Sequence, residues 1–240
     1  MDAHAFDVRA LPRTQLGWLR QAWRVFQKDL LIERRTREIT STSAFFAALV
    51  AITASVAMQG GADTRTRVAP GVIWIAVAFA AVLAVGKSWQ REREESALDG
   101  LLVSPLARSA IFAGKALGIA VFLLVVELVV IPLVSVLFSV ELGDVAPGVA
   151  VVVACATPGI AVTGTLFGAM TVRTQARDLV LASVLLPLLL PMLLAAVAAT
   201  REVLGGAPMG DIRDYVVIML AFDVVFTAGG LWLFGLLVDA

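Results

Sequence analysis

The chain has 240 residues, of which 60% are hydrophobic and 16% charged, and its mean hydropathy is +0.91. A soluble domain is about 45–50% apolar and about 25% charged, so a chain this apolar cannot cover itself with polar surface; a soluble enzyme, a disordered chain and a secreted disulfide scaffold are excluded. Lys and Arg number 19 and so do Asp and Glu, and Cys155 is the single cysteine, which leaves no global electrostatic footprint for nucleic acid and no internal disulfide.

From the N-terminus, residues 13–28 read as an amphipathic helix. Leu16, Leu19, Trp23, Phe26 and Leu30 fall within about 80° of arc at 100° per residue, and Arg13, Arg20, Arg24 and Lys28 share a similar arc on the other side. A Trp/Phe/Leu face opposite a basic face suits a helix lying in the membrane interface. The competing reading is a helix packed on protein with its charges solvated. Arg34, Arg35 and Arg37 follow at headgroup level, just before the first long apolar run.

A spanning helix needs about 20 mostly apolar residues, because each adds about 1.5 Å against a core about 30 Å thick. Six stretches qualify, at 42–58, 70–85, 111–139, 147–172, 179–199 and 215–238. Alternating apolar and polar residues are absent, which argues against a β-barrel. The expected fold is an all-α membrane protein with six transmembrane helices. It has a cytoplasmic tail carrying the interfacial helix at 1–41 and a membrane domain at 42–240. With the N-terminus placed in the cytoplasm, inner segments hold 15 of the 19 Lys and Arg, and outer loops hold only Arg65, Arg67, Arg201 and Arg213. That asymmetry puts both termini inside. About 40 residues precede the first apolar run, unlike a cleavable signal peptide.

The connection between the second and third spans is the most informative stretch. It begins Arg91-Glu92-Arg93-Glu94-Glu95 and continues into Leu98, Leu101 and Leu102 at helical spacing. Pro105 ends that piece and Ser109 can cap the next helix. A short coupling helix over 92–102 is expected outside the membrane. The three leucines would fill a cytoplasmic partner's groove, with Glu92, Glu94 and Glu95 at the rim. The competing reading is a solvated loop.

Other chemistry is thin. Gly86-Lys87-Ser88 mimics the end of a P-loop, but Ala81 stands where its first glycine belongs and no strand precedes it; Lys87 is expected to snorkel to headgroups. His4 is the only histidine, no Cys-x-x-Cys-His occurs, and no metal site or haem ligand can be assigned. Met58, Met170, Met192, Met209 and Met219 are read as packing. Glu127 and Asp223 fall inside spans, where carboxylates are costly. A proton relay and a buried structural pair are both open, and the lack of an intramembrane Lys or Arg favours the second. Gly159, Gly164, Gly168, Gly229 and Gly230 are expected to permit close packing. Pro132, Pro158, Pro187 and Pro191 are expected to kink or break their spans.

The acidic run, Leu-x-x-Leu-Leu, Ser104-Pro105-Leu106 and the Lys-bearing start of the third span resemble the ABC-2 class of transporter permeases. Arg67-Val68-Ala69-Pro70-Gly71-Val72-Ile73-Trp74, Thr157-Pro158-Gly159 and Leu186-Pro187-Leu188-Leu189-Leu190-Pro191 resemble the CcmB family, the haem exporter B permeases of bacterial cytochrome c maturation. The resemblance runs from about residue 24 to 200 and departs where Ser96-Ala97-Leu98-Asp99 replaces the common Gly-Thr-Leu-Glu. It implies an inner-membrane permease subunit working as two copies with an ATPase subunit, CcmA, beside CcmC, CcmD and the haem chaperone CcmE. ATP would be hydrolysed by the partner, membrane lipid would surround the chain, and haem would be exported or released on its chaperone. The rival functions are a proton-coupled secondary carrier using Glu127 and Asp223, and a non-transporting scaffold of a haem-handling complex.

Overall fold

A computed structural model describes residues 17–58, 61–94, 104, 106–171 and 177–239. They form seven helices: α1 (Trp18–Thr36), α2 (Glu38–Ala57), α3 (Ala62–Glu94), α4 (Arg108–Phe138), α5 (Ala146–Thr171), α6 (Arg177–Leu204) and α7 (Arg213–Asp239). Each of α2 to α7 carries a stretch long and apolar enough to cross a membrane, and no strand occurs among the described residues. The chain is an all-helical, multi-pass membrane protein with six spans.

The span ends differ from expectation in an instructive way. The second was expected over 70–85, yet α3 has 33 residues, about 50 Å at about 1.5 Å per residue. Its polar last turns stay helical because their charges find partners on neighbouring helices. Lys87, expected at the headgroups, instead meets Glu38 at 2.7 Å. The prolines at 132, 158, 187 and 191 do not break their helices, which run through them without interruption. In hydrocarbon no water replaces a lost backbone bond, so an open break would cost more than accommodating the ring.

The centre of the bundle is α3 and α5, each buried over 67% of its most apolar stretch, against 11% for α7. Ala76, Ala80 and Ala84 form a buried stripe of small residues on α3, which lets neighbouring backbones approach where packing is the main attraction between helices in lipid. Trp74 is buried beside it and its indole Nε1–H donates to Thr200 Oγ1 on α6 at 2.9 Å. That satisfies the one polar atom a buried indole brings with it.

The N-terminal helix begins at Trp18 and ends at Thr36, later than the expected 13–28 at both ends; residues 13–16 lie outside the described ones. It does not lie across the bundle. Trp18 Nε1–H donates to Ser109 Oγ at 2.9 Å, Gln21 Oε1 accepts from the Ala107 N–H at 2.8 Å, and Asp29 reaches Lys115. The register advances along both helices together, so α1 runs lengthwise beside the first turns of α4. Ser109 therefore receives a bond from α1 rather than capping α4, whose cap position is Ala107. Gly114 makes the docking fit: a Cβ there would lie 2.5 Å from the Ala22 carbonyl oxygen and 2.6 Å from Val25 Cβ.

The stripe that α1 buries is Gln21, Val25, Asp29 and Glu33, at i, i+4 spacing. It lies between the apolar and basic arcs and leaves much of both free, with Leu19 75% and Trp23 52% exposed. Cysteines at Arg20 and Arg24 are expected to react with aqueous thiol reagents in inside-out vesicles, and cysteines at Leu19 and Trp23 to be protected by lipid. Equal labelling at all four positions would show that the apolar edge faces water. Arg37, with φ 52°, makes the one-residue joint to α2. Glu33 Oε1 closes that joint by accepting from the Thr40 N–H at 2.7 Å.

Candidate functional site

Two groups of buried charge stand out. The first ties α1, α3 and α4 together. Glu92, in the last turn of α3, is 3% exposed, and its Oε1 lies 2.5 Å from Lys28 Nζ and 2.5 Å from Lys115 Nζ. Lys115 also meets Asp29 Oδ2 at 3.0 Å, and Lys28 meets Asp29 Oδ1 at 3.3 Å. Two ammoniums and two carboxylates thus close a neutral square. Lys115 is 2% exposed and sits 5.5 Å from the centre of the Trp89 ring, whose face adds attraction for a cation. Next to the square, Arg91 reaches Glu33 at 3.4 Å and Glu38 at 3.8 Å. Charges this buried persist only when paired. Burial works against charging Lys28, but Asp29 and Glu92 outweigh it and hold the ammonium above the usual lysine range. The stability from that charge is therefore present at neutral pH and is lost only as pH climbs through the raised value.

This corrects one expectation. Glu92 was expected on a separate coupling helix facing a partner; it belongs to α3 and is occupied inside the chain. Glu95, Leu98, Leu101, Leu102 and the side chain of Glu94 lie outside the described residues, as does His4. The square itself went unread in the sequence, as did a basic residue within α4. Its signals were Asp29 and Glu33, the only acids in an otherwise basic helix, and Lys115 standing between Gly114 and Gly118.

The second group is inside the spans. Glu127 on α4 is 1% exposed, and both its oxygens lie 2.9 Å from Thr157 Oγ1 on α5. Asp223 on α7 approaches the same segment from elsewhere. A Cβ on Gly159 would lie 2.1 Å from Asp223 Oδ1 and 2.3 Å from Met192 Cε, so only glycine admits that carboxylate. The two intramembrane acids therefore flank Thr157-Pro158-Gly159, the stretch singled out in α5. Gly164, Gly168 and Gly230 likewise abut neighbouring side chains, whereas Gly229 faces open space and is not a packing contact. Glu127→Gln retains shape and hydrogen-bonding capacity, and the variant is expected to keep full function. Loss of function at normal protein level would instead make its proton part of the work.

The other two singled-out stretches meet as well. Gly71, Trp74 and Ile75 of α3 and Leu186, Pro187 and Leu190 of α6 line one apolar cleft of about 430 Å³. Residues 86–88 lie in mid-helix, a geometry that points no row of backbone N–H groups at a phosphate. Among the described residues no group of three or more His, Cys, Asp or Glu is placed to hold a metal ion. Met192 and Met219 are fully buried in packing, while Met58, Met170 and Met209 are exposed.

A family model described as "CcmB protein" matches residues 20–231. Among curated proteins, "Heme exporter protein B" of Pseudomonas aeruginosa is 26% identical over 181 residues, covering 74% of this chain and 79% of that one. The protein of the same name from Paracoccus denitrificans is 27% identical over 167 residues, covering 69% of this chain and 75% of that one. That of Escherichia coli (strain K12) is 28% identical over 98 residues, which is 40% of this chain and 44%, less than half, of the relative. The family match runs from the first turn of α1 into α7 and includes every residue of the two charge groups, and the chain belongs to the CcmB protein family.

Proposed function

We propose that this chain is the membrane permease subunit of an ABC transporter that handles haem during cytochrome c maturation, by exporting haem or by ATP-driven release of a haem-loaded chaperone. Family membership supports the reading, as do relatives named for haem export. One geometric observation carries the mechanism. Glu92 and Lys115 join α3 and α4 on either side of the connection that runs between them, and α1 is bound into the same joint. A push delivered at 95–103 therefore moves three helices as one body. Glu127 and Thr157 pass that movement from α4 to α5, at the proline turn that Asp223 braces from α7.

ATP hydrolysis belongs to a partner subunit resembling CcmA. A second copy of the chain completes the permease, and CcmC, CcmD and the chaperone CcmE are its further partners. Haem is cargo on this reading, with no axial ligand from this chain. The protein resides in the bacterial inner membrane with both termini cytoplasmic, because 15 of its 19 Lys and Arg then face inward. Mass spectrometry of the full chain purified in mild detergent is expected to find an ATPase subunit in comparable amount. Purification from functioning cells with CcmC but no ATPase would favour the scaffold.

A further inference from the structure

We propose that the corner between α1 and α2 is a binding site for an anionic phospholipid, with its phosphate between Arg34 and Arg37 and one acyl chain lying against α4. A groove of about 460 Å³ opens there. Its floor and inner wall are apolar, with Leu30 from α1, Ala44 from α2, and Phe122, Val125 and Val129 from α4. Its mouth is polar, with Glu33, Arg34, Arg37, Thr40 and Ser41. The groove thus has the two halves of a lipid in the right order. The guanidiniums stand where the chain turns at Arg37 into its first span, and the apolar wall runs on from there in the direction that α2 takes. From Phe122 to Val129 the wall extends about 10 Å at about 1.5 Å per residue. Val125 and Val129 are 41% and 46% exposed, which leaves an open side toward the surrounding hydrocarbon.

Charge decides the class of lipid. The nearby carboxylates are committed elsewhere. Glu33 accepts from the Thr40 N–H and meets Arg91, and Glu38 meets Lys87 and Arg91. Arg34 and Arg37 are exposed and form no ion pair among the described residues. Glu33 lines the groove with its carboxylate taken by the Thr40 N–H and Arg91, so the two guanidiniums complement a phosphate that keeps its negative charge, as phosphatidylglycerol does, and a planar guanidinium can grip it with two donors. A zwitterionic headgroup would bring its own cation into the same space.

The test is native mass spectrometry of the full-length chain titrated with phosphatidylglycerol and phosphatidylcholine at equal concentration. Wild type is expected to retain phosphatidylglycerol preferentially. Arg34→Gln with Arg37→Asn should lower that retention about tenfold or more by removing two basic contacts; Asn is chosen at 37 because it accepts left-handed backbone. Val125→Trp should also abolish it by filling the groove with both arginines intact. Arg35→Gln, one charge removed beside the groove but not in its lining, should leave it nearly unchanged. The proposal is overturned if wild type shows no preference, if either groove variant binds as wild type does, or if Arg35→Gln loses as much as the double variant.

Discussion

Replacing Lys115 with Met is expected to destabilise the protein by about 3–5 kcal/mol, the cost of breaking a buried ion pair from one side, and to loosen α1 from α4. The substitution is close in volume and leaves Lys28 alone to balance Asp29 and Glu92, in a place where Glu92 and Lys115 are 3% and 2% exposed. One negative charge is then stranded. Adding Glu92→Gln removes that excess, so the double variant should recover much of the loss although it has two fewer charges. Non-additivity of this kind separates a coupled charge set from two independent packing sites. Thermal unfolding in detergent measures it, with proteolysis between α1 and α2 reporting the release of α1. A double variant that is worse than either single one would show that charge balance is not what holds the joint.

On the proposed function, the double change Leu98→Ala with Leu101→Ala is expected to release an ATPase subunit from this chain. Each leucine, when fully covered in a groove, contributes about 1.5–3 kcal/mol through buried apolar area. The pair thus contributes about 3–6 kcal/mol, enough to weaken binding a hundredfold or more. Glu95→Gln, at the rim, should change affinity far less, because rim charges act mainly on orientation and encounter rate. Both variants should insert normally, since in the sequence these positions fall between the second and third apolar runs. Co-purification of the ATPase at matched membrane levels is the assay. Undiminished recovery with the double-alanine variant would remove 98–102 as the gripping element and leave α1 as the next surface to test.

The spans were legible because a membrane demands long apolar runs whatever their packing partners. Their ends were not, because Lys87 reads as a headgroup residue and Glu92 as the start of a separate helix outside the membrane, whereas both continue α3 with Glu38 and Lys115 opposite them. In α1 the apolar and basic arcs were visible, but the docking stripe lies between them and is polar at three of its four positions. Its logic depends on Gly114 and Lys115, more than 80 residues further along. Thr157-Pro158-Gly159 stood out as a motif. That Glu127 and Asp223 converge on it is a property of how α4, α5 and α7 pack, and no local pattern encodes it.

Whether this chain works on ATP hydrolysed elsewhere is read most directly in cells whose ATPase subunit binds the permease but cannot hydrolyse ATP. Maturation of c-type cytochromes should then fail, with the permease complex present at its normal level. Maturation at the wild-type level with the inactive ATPase would contradict a transmitting permease. If Glu127→Gln with Asp223→Asn then abolished it, the membrane carboxylates, and not a partner's ATP, would be driving the work.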